Sequence, residues 1–173
     1  MEGKNLSGLD LAGVNFNGIN MKKVNLSRAD LSGANFRNAD LSKANLEGAI
    51  LVGTNFSYVD LTKANLSGAS LVEANLLGAD LEEAHLVGVN LSGADLSEVT
   101  LLGADLSGAQ LIGTEMERAD LADASLKDAN LTDADLTGAI LTGTILTGAI
   151  WSNTTCPDGT NSNDHWGTCV AHL

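Results

Sequence analysis

The sequence predicts a solenoid, a chain wound into stacked coils of square section, and three observations predict it. Every fifth residue from Leu6 to Trp151 is large and apolar, giving 30 consecutive units without insertion or slip. The residue two before each centre is small or β-branched, mostly Ala, except Lys4 and Leu9 at the start. A longer period of four units overlies the first: Phe16, Phe36 and Phe56 are the only phenylalanines, Met116 falls on their grid, and Lys23, Lys43 and Lys63 form a second series.

The period of five excludes the common elements. Apolar residues five apart drift round an α-helix, which needs 3.6, and an odd repeat breaks the period of two in a strand. A coil that turns inward once per unit satisfies both positions. The centre and the small residue two before it point inside, and the other three point out. Such a unit buries its apolar face only by stacking on its neighbours. Asn occupies every tenth residue from Asn5 to Asn75, with mixed, Asp-rich positions between. That alternation requires an even number of units per turn, and the Phe and Lys series make it four. Residues 1–153 then form about seven and a half coils, a rod of roughly 36 Å at the strand spacing. Leu41, Leu46, Leu81, the three phenylalanines and Trp151 are core centres. A mid-rod centre such as Leu81 should contribute about 1.5–3 kcal/mol by burial.

The composition narrows the function. Nine basic against 22 acidic residues give a net charge of −13, which opposes direct binding to nucleic acid or anionic membrane. No apolar run approaches the roughly 18 residues of a membrane helix. Met1-Glu2-Gly3-Lys4-Asn5 leads straight into the repeats, so a cytosolic protein or a mature form is expected. A core filled by leucines, with no inserted loop, offers no cleft with convergent polar groups. The expectation is a protein that is not an enzyme and needs no cofactor or metal.

Ala29-Asp30-Leu31-Ser32-Gly33 shows the tandem Ala-Asp/Asn-Leu-x-x pattern, and residues 4–153 resemble the pentapeptide-repeat family. The resemblance implies an all-β fold, a right-handed quadrilateral parallel β-helix with type II or type IV turns at its corners. Asp40, Asp60 and Asp80, with Asp120 further along, would stack on one face as a possible partner surface. This resembles the acidic DNA-mimicking members of the family that bind gyrase. The alternative is that Asp and Asn suit the turns and keep the rod soluble, with Lys23, Lys43 and Lys63 partly neutralising the ladder. Seven of the nine basic residues precede Leu66, a polarity read as incidental. Val52, Val72 and Ile112 share a grid and are read as scattered surface residues rather than a docking stripe. His85 has no evident base or metal partner.

The ends carry what the repeat does not. Ile140, Ile145 and Ile150 replace Asn or Asp, the repeat stops after Trp151, and Cys156-Pro157-Asp158-Gly159 reads as a turn. Residues 154–173 are expected to fold over the rod end as a cap, with Trp166 packed on it and Ile140, Ile145 and Ile150 counted among the cap residues, because a bare end exposes apolar centres and unpaired backbone. A Cys156–Cys169 disulfide would staple the cap and imply an oxidising compartment: periplasm, cell exterior or thylakoid lumen. Two free cytosolic thiols, or zinc held by Cys156, His165, Cys169 and His172, are the alternatives. At the other end, Leu6, Leu11, Phe16 and Met21 are expected to lie open in the first coil, which suggests end-to-end association through the N-terminal coil or a native segment that covers it. The leading functional reading is a non-enzymatic scaffold presenting rigid faces to a protein partner. The runner-up is an acidic DNA mimic acting on DNA gyrase or a similar DNA enzyme.

Overall fold

The computed structural model describes residues 1–164 and 167–169. Its building unit is a tight turn. After each centre the chain bends through two residues, and the amide of the next donates to the centre's carbonyl, as Ala29 N–H does to Leu26 O at 3.1 Å. The third turn residue has positive φ throughout, from 53° at Glu83 to 77° at Gly148. Glycine adopts that region without strain, whereas Tyr58, at 57°, is a bulky residue held there by its neighbours. A second bond fixes the corner. In each of the 20 units with Asn or Asp before the centre, its Oδ1 accepts the amide two positions on, at 2.9–3.2 Å. That is the Asx turn, the physical reason for Asn and Asp at this place.

Four corners close one circuit. Parallel bridges join each residue before a centre to its counterpart in the next coil, from Asn5–Asn25 through Asp135–Thr155. Each centre through Leu136 donates its amide to a carbonyl of that next coil at 2.7–2.9 Å, as Leu41 does to Asp60 O. The bridge positions define four flat faces: face 1 runs from Asn5 to Ile145, face 2 from Asp10 to Ile150, face 3 from Asn15 to Thr155 and face 4 from Asn20 to Ile140.

The interior is a single stack of side chains. Leu41 and Leu46 are fully buried, Leu81 nearly so, and Phe16 and Trp151 close the ends at 5% exposure each. Phe16, Phe36 and Phe56 stack ring on ring, with centroids 4.8 and 5.1 Å apart and planes within 19° of parallel, contacts that add to area burial. Thr replaces Ala at some inward small positions because its hydroxyl finds a carbonyl. Thr54 Oγ1 donates to Leu31 O at 2.9 Å, and Thr154 Oγ1 to Leu131 O at 2.7 Å.

The C-terminal end differs from expectation in two ways. The repeat does not stop at Trp151. Thr155 still bridges Asp135, Pro157 O still accepts from Gly138, and Cys156 is fully buried at the next centre position. Cysteine is small and apolar enough to stand in the core column, so the coil extends one unit past residue 153. Ile140, Ile145 and Ile150, grouped above with the cap, lie outside it. They are 49%, 52% and 51% exposed on faces 4, 1 and 2, because the position before a centre points outward whatever residue fills it.

From Cys156 the chain reverses. Cys156 N–H donates to Thr160 O at 2.7 Å, Asp158 Oδ1 accepts from Thr160 N–H, and Asn161 pairs antiparallel with Thr155. A short 3-10 helix, Ser162–Asp164, follows. Ser162 is buried and knits it to the coil, donating from Oγ to Trp151 O and from its amide to Thr154 O. Cys156 and Cys169 form the disulfide, both side chains fully buried. The bond occupies both thiols, which removes the cysteines from the alternative zinc set. His165 and His172, and the cap residue Trp166, lie outside the described residues.

Two stability outcomes follow from this packing. Leu81→Ala should lower the unfolding free energy by roughly 2–5 kcal/mol, measured by urea denaturation. Reducing Cys156–Cys169, which closes a loop with a sequence separation of 13, should cost about 3 kcal/mol, read as a lower midpoint in reductant.

Candidate functional site

With the interior filled, chemistry can reside only on the faces and ends. The bridges hold outward side chains in straight columns, so residues four units apart are neighbours. On face 4 the order is Asn20, Asp40, Asp60, Asp80, Thr100, Asp120, Ile140. The sequence-derived acidic ladder is therefore contiguous from Asp40 to Asp80, and Thr100 separates Asp120 from it. Lys22, rather than the Lys23 series, meets the ladder, with Nζ 3.1 Å from Asp40 Oδ2. Lys63 pairs instead with Glu83 at 3.2 Å, and Arg118 with Glu98 at 2.8 Å. The last two pairs are exposed and the first is only half-buried, so each contributes little to stability.

Two carboxylates are tuned by the turns they build. Burial pushes the Asp40 carboxyl up, but bonds from the Ser42 hydroxyl and amide, with the Lys22 ammonium, outweigh it and hold it below its ordinary value. The Ser32 hydroxyl and amide hold Asp30 low in the same way. The bond to Asp40 correspondingly raises Lys22.

The apolar surface lies elsewhere. Ile50 and Val52 are exposed on face 2, with half-buried Val72 next after Val52 in column, then Ser92 and exposed Ile112. The stripe is thus interrupted. On face 3 the one tyrosine is half exposed and lies along the rod. A Cβ at Gly78 would stand 2.7 Å from Tyr58 Cε1, so glycine there makes room for the ring. Arg37 covers it with its guanidinium carbon 5.7 Å from the centroid. Sequence reasoning missed this pair, although Arg37 and Tyr58 stand in adjacent columns one coil apart and the five-residue register could have paired them. His85 is exposed on face 1 between Asn65 and Asp105. A shallow groove beside the N-terminal end of that face is lined by Ser7, Gly8, Ser27, Arg28 and Glu47. Among the described residues no three His, Cys, Asp or Glu side chains are grouped to hold a metal ion.

Charge separates along the axis more sharply than the distribution of Lys and Arg alone suggested. Residues 1–66 hold seven basic and six acidic side chains, whereas residues 67–173 hold two and sixteen. The second half of the rod is a rigid, strongly negative body.

The depressed carboxylates set a pH response. A group whose folded pKa lies below its unfolded value stabilises fully above the unfolded pKa of about 3.9, and that contribution is lost as pH falls through the folded value. In the double variant Asp30→Asn/Asp40→Asn, the amide oxygen still accepts the turn bond. Stability near neutral pH should stay close to wild type while the decline below about pH 3.9 becomes shallower, followed by urea midpoints across the acid range.

The sequence matches the family described as pentapeptide repeats, in 8 copies, over residues 5–42, 39–76, 74–111, 104–143 and 114–153. Two solved structures are similar over most of their length. HetL, a pentapeptide repeat protein involved in heterocyst differentiation regulation from the cyanobacterium Nostoc sp. strain PCC 7120, is 28% identical, with 92% of each chain covered and a TM-score of 0.67. QnrB1, a plasmid-mediated fluoroquinolone resistance protein, is 27% identical, covering 86% of this chain and 79% of its own, with a TM-score of 0.75. No curated protein matches the sequence. The square coil of four five-residue units per turn is the right-handed quadrilateral β-helix, and the chain belongs to the pentapeptide-repeat family.

Proposed function

We propose that the protein is a non-enzymatic scaffold that docks a protein partner on the rigid faces of its rod. One observation carries the reading: residues 67–153, the second half of the rod, hold fourteen acidic side chains against two basic ones, on coils joined by backbone bridges throughout. Groups held this way are preorganised and lose little freedom on binding. The sign of the field selects a partner with a basic surface and speeds its encounter. The first coil adds an end contact, since Leu9 and Val14 are exposed there and Leu6, Leu11 and Ile19 partly so. Of the two similar proteins, one is involved in regulating differentiation and the other in drug resistance, roles that a binding protein can fill.

A second reading is an acidic DNA mimic acting on DNA gyrase or a similar DNA enzyme. It draws on the Asp40–Asp60–Asp80 column and on the likeness to QnrB1. Against it, Lys22 neutralises the first member of that column. A gyrase supercoiling assay separates the two readings: no change at micromolar protein removes mimicry.

The scaffold reading is tested by affinity capture from an extract of the source cells, comparing wild type with Asp60→Asn/Asp80→Asn/Asp120→Asn. Asn preserves every turn bond, so the variant should fold normally. The expected result is a retained protein that is released by salt and captured severalfold less by the variant. Equal capture by both, insensitive to salt, would remove the Asp column of face 4 as the docking surface.

A further inference from the structure

The last coil departs from the rest in three coincident ways. Twenty units secure their corner with an Asx bond and seven inner units do not, but only here do three consecutive units lack it, with Ile140, Ile145 and Ile150 at that position, so the amides of Thr142, Thr147 and Ser152 lack the side-chain acceptor. Turn stability is given up three times in succession, which is the local inconsistency that marks a functional surface. The three isoleucines form a half-exposed apolar collar on faces 4, 1 and 2. Among the described residues nothing continues the coil on the rim above them. Among the described residues the amides of Leu141, Leu146 and Trp151 and the carbonyls of Thr144 and Ala149 have no backbone partner, although the same groups are paired in every inner coil. The cause is the reversal at Cys156, which carries the chain back along Thr155 on face 3, so that among the described residues the bridge ladder does not continue on the other three faces.

The first coil presents the counterpart. Leu9 is 47% and Val14 37% exposed, at inward positions that later units fill mostly with Ala. The amides of Asn5, Asp10 and Asn15 lack the coil-to-coil bond that Asn25, Asp30 and Asn35 make. Both ends share one square section and one register, so their open groups match in spacing. Their charge balances are opposed: around the first coil Lys4, Lys22 (paired with Asp40) and Lys23 outnumber Glu2 and Asp10, whereas one coil below the C-terminal rim Asp120, Asp123, Asp128, Asp133 and Asp135 outnumber Arg118 and Lys127. The Asp123 and Asp128 carboxylates lean over Gly143 and Gly148, where their Oδ1 atoms would collide with an added Cβ, and so reach the rim itself.

We propose that the C-terminal collar binds the first coil of a second copy, building head-to-tail rods. This rests on the end contact of the scaffold reading and names its occupant. Contact between two collars is disfavoured, because it would bring two strongly acidic halves together. A heterologous contact of this kind does not close and grows into linear assemblies.

Sedimentation velocity on untagged protein tests it over a range of concentration and salt. Wild type should form species larger than dimers as concentration rises. Ile140→Asn/Ile145→Asn/Ile150→Asn should be monomeric and at least as stable, since Asn is the residue the turn favours; an unchanged urea transition certifies its fold. Leu9→Ala/Val14→Ala, which introduces the small residue usual at that position, should also be monomeric. Mixing the two variants restores one intact contact and should give 1:1 dimers and nothing larger. Wild type that stays monomeric at millimolar concentration overturns the proposal and leaves the capture result untouched. Dimers of the Leu9/Val14 variant alone, with no further association on mixing, overturn it in favour of collar-to-collar pairing.

Discussion

Everything in this rod depends on a corner that closes within one unit and leaves the chain pointing along the next side of a square. The centre's carbonyl, the positive-φ third residue and the Asx acceptor all serve that corner. Once four identical corners are made, the circuit is complete, and each amide that would otherwise be stranded meets a carbonyl of the adjacent coil. Hydrophobic burial supplies most of the driving force, but the corner decides where the leucines meet. An α-helix satisfies its backbone within itself, whereas here each coil is satisfied by the one above and the one below. The ends must therefore differ from the middle.

That asymmetry explains what can be read from the amino acids. The coil is legible because its period encodes inside and outside at every unit, and 30 agreeing units leave no competing pattern. The four-fold section is legible from rare residues, since the phenylalanines and lysines on four-unit grids mark one column each. Cys156 escapes this pattern because cysteine is not a large apolar residue, although Thr154 already stands at the small position before it. The isoleucines mislead for the opposite reason, since an apolar residue suggests burial. Their direction is set by backbone position, which the same register specifies. The contacts of Ser162, Asn153 and Asn163 have no period at all, and only folding brings them together.

The outer surface shows the same division between rule and exception. Most outward positions are Asn, Asp, Ser or Gly that the corner itself favours, so their identity reports on folding. Folding does not account for a residue present despite the corner: Tyr58 with a bulky side chain at positive φ, and Ile50 or Ile140 without an Asx acceptor. The acidic excess combines both kinds, since Asp suits the turn as well as Asn does and its charge is free to vary between them. Asp40 and Asp30 illustrate the double role, with the turn bond depressing the carboxylate that also contributes to the field.

The closed circuit of four units also governs how such a chain can change its length. Removing or inserting four units deletes or adds one storey and leaves every later side chain on its original face. Losing a single unit would preserve the core, because one leucine simply replaces another, yet every residue beyond the lesion would rotate by a quarter turn. Asp80 would then stand in a different column from Asp40 and Asp60 if the loss fell between them, and the Phe stack would break if the loss fell within it. The fold tolerates both events, but surface recognition tolerates only the first. A lineage that keeps its partner is therefore expected to vary in whole storeys, each one strand spacing in height.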